Sequence, residues 1–377
     1  MFSRSVRLAV TALALSALSV RAEPSLSLKL SGPPSVDGVH NLKVVATLFN
    51  TGSDTIKLLN DPRGLLSKAS ADKFTISNGA GSAPSFTGIK VKYSPGHAAK
   101  HGGDSGYTVL KAGESVQVEH DLSKSYDFEQ SGEGSYDIHG HQNFHYHDEA
   151  TNEVKTVTAK IESSHKAKIA GKLAVRRSLS ARQAGNSTST TSPIIGSEAG
   201  YANCSAQEAA LVHAASVYAQ IYSFHSYEYL VQNNHSGAAR YETWFGAYDV
   251  ARHQNLTKHF ARVLENPFSN YTYDCHGAEC PADGGTFAYV FPDQFGTIYL
   301  CQSFWKANIT GADSKAGTLV HESTHFTIVA GTTDENYGRN SSRNLAVTNP
   351  AAALVNADSH EYFAEDSDPI TATQAGV

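Results

Sequence analysis

The stretch from His321 to Gly338, "HESTHFTIVAGTTDENYG", places two histidines four residues apart around a glutamate. In its apolar setting, "TLVHESTHFTIVA", it reads as a helix, on which His321 and His325 project from one face and can hold one metal ion. Glu322 lies beside them, where it can polarise a bound water. Three protein ligands with an open fourth position would make the site catalytic, because zinc lowers the pKa of its water towards neutrality. A His-Glu-x-x-His match arises by chance in such a chain with a probability of about a few per cent, so its surroundings have to add to it.

The third ligand decides which kind of centre this is. The extended metzincin pattern needs a glycine and then a histidine where this chain has Ile328 and Gly331, and a downstream methionine, whereas the single methionine is Met1. Two candidates remain. Glu361 in "NADSHEYFAE" would suit a glutamate on a later helix, and Asp334 follows a Gly-Thr-Thr turn that can fold the chain back towards the ion.

Working outward, the pattern around this segment is helices, a small sheet, then helices. "SAQEAALVHAASVYAQIYSFHSYEYLVQ" has apolar residues at helical spacing, and Ser205 with Glu208 can form a capping box. A second helix is predicted over 239–265. "GTFAYVFP" and "GTIYLCQSFW" read as paired strands joined by "DQF" and Gly296. This half is therefore predicted as an α+β domain. Residues 24–172 differ: "SLSLKL", "NLKVVATLFN", "GIKVKYS", "SVQVEH" and "KTVTAKI" alternate with period two between turn residues, which predicts an antiparallel β-sandwich.

Charge divides the chain at the same place. From Ser197 onward 8 Lys+Arg face 19 Asp+Glu, while the first 196 residues carry 22 against 17. Opposite signs favour docking of one half on the other. Between them lies "KLAVRRSLSARQAGNSTSTTSP", where Arg176-Arg177 in a polar, Ser/Thr-rich linker is a candidate cut site for a processing protease.

The first residues, "MFSRSVRLAVTALALSALSVRAEPS", have the order of a secretory signal: basic residues, a short apolar run, then small residues up to Ala22. The run is too short to span a bilayer, so no membrane anchor is expected. Export agrees with four cysteines, Cys204, Cys275, Cys280 and Cys301, able to form two disulfides; their spacing does not suit a Cys-type zinc site. Glycosylation sequons stand at Asn186, Asn203, Asn234, Asn255, Asn270, Asn308 and Asn340.

"GTTDENYG" also matches the Gly-Thr-x-x-Asp-x-x-Tyr-Gly motif of the deuterolysin-like metalloendopeptidases, the aspzincins. "RYETWFGAY", "GTFAYVFPDQFGTIYLCQSFWKA", "AGTLVHESTHF" and "NADSHEYFAE" widen the likeness. Together, over Gly200 to Asp368, they resemble the catalytic domain of the fungal peptidyl-Lys metalloendopeptidases within that family.

The resemblance implies a zincin-like, mostly helical catalytic domain with a small sheet. One zinc ion would be held by His321, His325 and Asp334, with Glu322 as general base and Tyr337 donating to the oxyanion. Asp358 and Glu361, three apart on a helix opened by Asn349-Pro350, match the positions that recognise lysine, and cleavage would fall on its amino side. The resemblance also implies disulfides Cys204–Cys275 and Cys280–Cys301, although "CHGAEC" spaces Cys275 and Cys280 more widely than the family pattern.

The expected organisation is a signal peptide at 1–22, a β-rich propeptide at 23–182, a linker at 183–199 and a zinc metalloendopeptidase domain at 200–377. The product would be a secreted, extracellular monomer acting on lysine-containing proteins and peptides, its own propeptide covering the cleft. Lysine placement agrees: 15 of 18 lysines precede residue 197. "HGHQNFHYHD", with His139, His141, His145 and His147, could bind metal or sense acid pH, the plainer reading being a polar strand and turn. Two rival functions are an aspzincin without lysine selectivity and a secreted, metal-stabilised binding module needing no Glu322. The acidic second half excludes nucleic acid as a partner.

Overall fold

The structure, a computed structural model, describes residues 23–175 and 199–367. The expected signal segment, the Arg176-Arg177 pair, Asn186 and residues 183–198 of the expected linker lie outside the described residues. The whole is mixed α+β: three four-stranded sheets and one two-stranded sheet build the first half, and the second half is mainly helical around one sheet.

Alternation drives the first half. Leu26–Ser31 buries Leu26, Leu28 and Leu30 and pairs antiparallel with Lys43–Asn50, setting Leu28 opposite Leu48 and Leu30 opposite Ala46. With Leu58, Ile138, Phe144 and Ile169 these residues form a core of their own. The expected antiparallel sandwich needs correction. Leu26–Ser31 runs parallel to Lys160–Ser163, and His165–Ala170 runs parallel to Ser35–Asp37. The run "KTVTAKI" divides at buried Ala159: Glu153–Thr158 pairs with Asn143–Asp148, and the next strand crosses to another sheet. A short helix, Pro95–His101, is also present, opened by Ser94, whose side chain accepts from His97 N.

In the second half, Ala206–Gln232 starts with the predicted capping box, both legs formed between Ser205 and Glu208. It buries Val212, Ala215, Ala219, Tyr222, Ser226 and Leu230, spaced three or four apart, against Val250–Glu265 and the helix Lys315–His325. The single helix predicted over 239–265 is two. Gly246 takes φ +76, which a side chain resists, and Asp249 then caps a new helix by accepting from Arg252 N.

The sheet runs in the order Gly200–Ala202, Thr272–Asp274, Thr297–Leu300, Thr286–Val290, and its last strand is Lys90–Tyr93 from the first half. That strand, part of "GIKVKYS", is buried at every position, as is Thr286–Val290 beside it, whereas first-half strands such as Lys43–Asn50 are half-buried. Ile89, Val91, Tyr93 and Ala98 form a third apolar cluster with Tyr289, Phe291 and Tyr337, so the halves share a core at this edge. Among the described residues, no helix is long and apolar enough to cross a membrane.

Both implied disulfides are formed, Cys204–Cys275 and Cys280–Cys301. All four cysteines are thereby used, which removes the alternative of a Cys-type zinc site.

Candidate active site

The helix Lys315–His325 carries the first two site histidines, and every one of its residues is buried. Ser314 caps it by accepting from Gly317 N. Gly317 admits the neighbouring helix: a Cβ there would lie 2.2 Å from Glu365 Oε1. After His325 the chain turns through Gly331, at φ +60, and returns beside the helix. Thr332 N donates to Thr324 O, the two threonine hydroxyls are 2.7 Å apart, and Thr332 O accepts from His325 Nδ1 at 2.9 Å. This fold-back carries Asp334 to the histidines. Asp334 Oδ1 stands 3.2 Å from His321 Nε2 and 3.3 Å from His325 Nε2.

These three facing atoms are buried, and none has a hydrogen-bond partner in the protein. Because His325 Nδ1 donates to Thr332 O, its Nε2 presents a lone pair to a carboxylate oxygen, an arrangement that calls for a cation between them. His321 Nδ1 is backed by Asp358 Oδ1 at 3.0 Å and Glu361 Oε2 at 3.2 Å. On protein charges alone, burial lowers His321, but Asp334, Asp358 and Glu361 outweigh it and hold the imidazole well above its ordinary pKa. Burial raises Asp334, and His325 and His321 outweigh that, holding it well below the usual carboxylate range. The cluster fits a divalent ion, which would satisfy all three ligand atoms together. Glu322, buried behind them, is pushed up to about 8 by its burial.

Asp358 and Glu361 are not on the helix opened by Asn349-Pro350, as the sequence suggests. Pro350–Val355 ends at Asn356, which is extended, and Ala357–Glu365 begins anew. The break has a partner: Thr333 N donates to Val355 O and Ala357 N to Thr333 O, tying this junction to the loop before Asp334. Both carboxylates are fully buried and meet the ammonium of Lys92, Glu361 Oε2 at 2.8 Å and Asp358 Oδ1 at 3.2 Å. Asp313 Oδ1 joins at 3.0 Å, and Tyr362 Oη lies 3.4 Å away. Burial pulls Lys92 down, but these carboxylates outweigh it and raise its pKa well above the ordinary value.

The main chain around Lys92 is placed as closely as its side chain. Lys92 N donates to Glu322 Oε1 at 2.8 Å and Val91 N to Asp334 Oδ2 at 3.2 Å. Tyr337 Oη, whose ring is buried, donates to Val91 O at 3.1 Å. All seven site residues named from sequence, His321, Glu322, His325, Asp334, Tyr337, Asp358 and Glu361, are thus gathered here. Sequence reading missed Asp313, Tyr362 and Lys92. Asp313 sits just before the helix cap, and its backbone N donates to Glu365 Oε2; the alternating run "GIKVKYS" was visible but read as an ordinary strand.

His139, His141, His145 and His147 do not form a metal group; among the described residues, both groupings of His, Asp and Glu close enough to share an ion contain His321. His145 instead lies 3.6 Å from Asp61, and burial lowers its pKa.

A helix bearing His-Glu-x-x-His with an aspartate returned to it by the following loop defines a metallopeptidase-type centre. Residues 230–365 match the family model described as lysine-specific metallo-endopeptidase, the aspzincins. A peptidyl-Lys metalloendopeptidase from Grifola frondosa is 47% identical over 97% of this chain and 99% of its own. One from Armillaria mellea is 45% identical over 97% and 99%. Another, from Pleurotus ostreatus, is 45% identical over 168 residues, which are 44% of this chain and 96% of its own. The chain belongs to the aspzincin family of metalloendopeptidases.

Proposed function

We propose that this protein is a secreted zinc endopeptidase that cuts peptide bonds on the amino side of lysine. The observation that carries this reading is the acidic pocket of buried Asp358 and Glu361 with half-buried Asp313, which lies beside His321 and holds a lysine ammonium at 2.8–3.2 Å. An ammonium offers three donors, and here three carboxylates surround it. The lysine specificity in the relatives' names supports the same assignment.

His321, His325 and Asp334 would hold the zinc, which supplies a Lewis acid to polarise the substrate carbonyl and activate water. Glu322 takes the proton of the attacking water and passes it to the leaving nitrogen; its carboxylate already accepts from a lysine backbone N–H at 2.8 Å. Tyr337 donates to the carbonyl oxygen as charge builds there, a role supported by its hydrogen bond to Val91 O. Asp358 works twice, on the lysine ammonium and on His321 Nδ1, where it orients the ligand imidazole.

Secretion is supported by the signal-like first residues and the two disulfides. Residues 23–182 act as a propeptide released by cleavage at or near Arg176-Arg177. The Pleurotus relative, matched over 168 residues, has a length that fits the second half alone.

The test is digestion of a peptide containing lysine and arginine by the processed enzyme, with and without a zinc chelator, the cut bonds being read by mass spectrometry. Chelator-sensitive cuts before lysine are expected. Chelator-sensitive cuts elsewhere would replace the reading by that of a general aspzincin, and no cuts by a zinc-loaded enzyme would favour a binding module.

A further inference from the structure

The cleft is filled by the chain's own first half, and the filling is specific at three levels. At the backbone, Lys90–Tyr93 extends the sheet antiparallel to Thr286–Val290, with Val91 opposite Tyr289 and Lys92 opposite Ala288. At the peptide group, the Val91–Lys92 bond has its carbonyl on Tyr337 and its N–H on Glu322. At the side chain, Lys92 is fully buried in the acidic pocket. Another buried lysine of the first half, Lys73, turns instead to the carbonyls of Gly64 and Ser67 in its own half.

We propose that residues 90–93 are a built-in substrate mimic: the first half silences the peptidase by presenting Lys92 to the lysine pocket and the Val91–Lys92 bond to the catalytic groups. This rests on the lysine-cleaving reading of the site. It makes the pocket the lock of the precursor as well as the specificity site of the mature enzyme.

The segment is held from both sides. Upstream, Ile89 N donates to Ser70 O in the first half. Downstream, Ser94 N donates to Gly285 O, and the helix Pro95–His101 follows at once, its His97 Nδ1 2.9 Å from Gly284 O. Gly284, at φ +66, and Gly102 are in close approach: a Cβ on Gly284 would lie 2.4 Å from Gly102 Cα. Arg63 of the first half adds its guanidinium 4.0 Å over the Tyr337 ring. A substrate lysine reaches the pocket only when this strand leaves. Hydrolysis at Val91–Lys92 would put a carboxylate on Val91 and an amine on Lys92, yet both ends would stay anchored, so the cleft remains blocked until the whole half departs.

The experiment uses the zinc-loaded full chain with Arg176→Ala and Arg177→Ala, its intact mass confirmed. Hydrolysis of a lysine peptide and hydrogen exchange of Thr286–Val290 are measured with and without Lys92→Met, which keeps the aliphatic stem and removes the charge. The parent should be nearly silent and its edge strand protected. Lys92→Met should release activity by on the order of a hundredfold and raise exchange, as one-sided loss of a buried ion pair does. If Lys92→Met does not accumulate folded, Lys92→Arg, which keeps the cation in a different shape, is read the same way with a smaller release. A folded variant as silent and as protected as the parent overturns the proposal. The linker-cleaved wild-type enzyme separates the two readings: if it cuts before lysine while the variant precursor stays silent, only the mimicry falls, and if it never cuts before lysine, the function reading falls first.

Discussion

Two buried ionic clusters meet at His321, and they differ in where their positive charge comes from. On one side Asp358, Glu361 and Asp313 are matched by Lys92, brought from the other half of the chain. On the other side Asp334 faces two imidazole nitrogens, and among the described residues no lysine or arginine pairs with it. Burying carboxylates without a counter-charge is too costly to persist, so each cluster specifies a cation by its shape. On the proposed reading, the pocket that takes a side chain exchanges it for a substrate's lysine, and the one that takes an ion keeps it through catalysis. A single histidine, with one nitrogen towards each cluster, couples them.

The largest expected effect comes from removing the only carboxylate of the proposed ligand set. Asp334→Ala should abolish both stoichiometric zinc, measured by elemental analysis, and hydrolysis; retention of one zinc per chain would break the contrast between the clusters. Next, Glu322→Gln should lower kcat by about 10²–10⁴-fold with zinc content unchanged, since it removes proton transfer and leaves the ligands in place. A smaller, more selective loss is expected in the processed enzyme from Glu361→Gln: kcat/KM for lysine peptides should fall by about 10–100-fold, much less for any bond cut without lysine. An equal fall for all peptides would make Glu361 a support of His321 rather than a specificity residue.

A last effect, on stability rather than activity, concerns buried and half-buried histidines in both halves. His120 in the first half and His259 in the second are held at about 4, and His360 at about 3, in each case first by burial. Their folded pKa values lie below the unfolded value, so their contribution to stability is complete above about pH 6.5 and is lost as pH falls towards 4 and then 3. Urea unfolding at pH 7 and pH 4.5 should show a loss of a few kcal/mol. His120→Phe should flatten the pH dependence of the first half alone, which tests whether the halves unfold separately.

Much of the site was legible because its chemistry is local. His321, Glu322 and His325 are set by helical spacing, and Asp334 and Tyr337 lie within twelve residues of His325 in a motif with a family signature. Helix caps such as Ser205 with Glu208 were legible for the same reason: capping is decided within one turn. The misjudged elements are those whose outcome depends on distant partners. The break at Asn356 is stabilised by the chain at Thr333, and the break at Gly246 by a backbone conformation that a window dominated by helical periodicity conceals.

By itself, then, the sequence determined the helix carrying His321, Glu322 and His325, the proposed ligand set through its family pattern, the acidic character of the second half and the β-rich nature of the first. Only the tertiary structure decided that "GIKVKYS" belongs to the other half's sheet. Period-two alternation specifies a strand but not its neighbour, and the neighbour was chosen by an open sheet edge and a buried acidic pocket almost two hundred or more residues away. Lys92 is one lysine among fifteen in the first half until that pairing buries it.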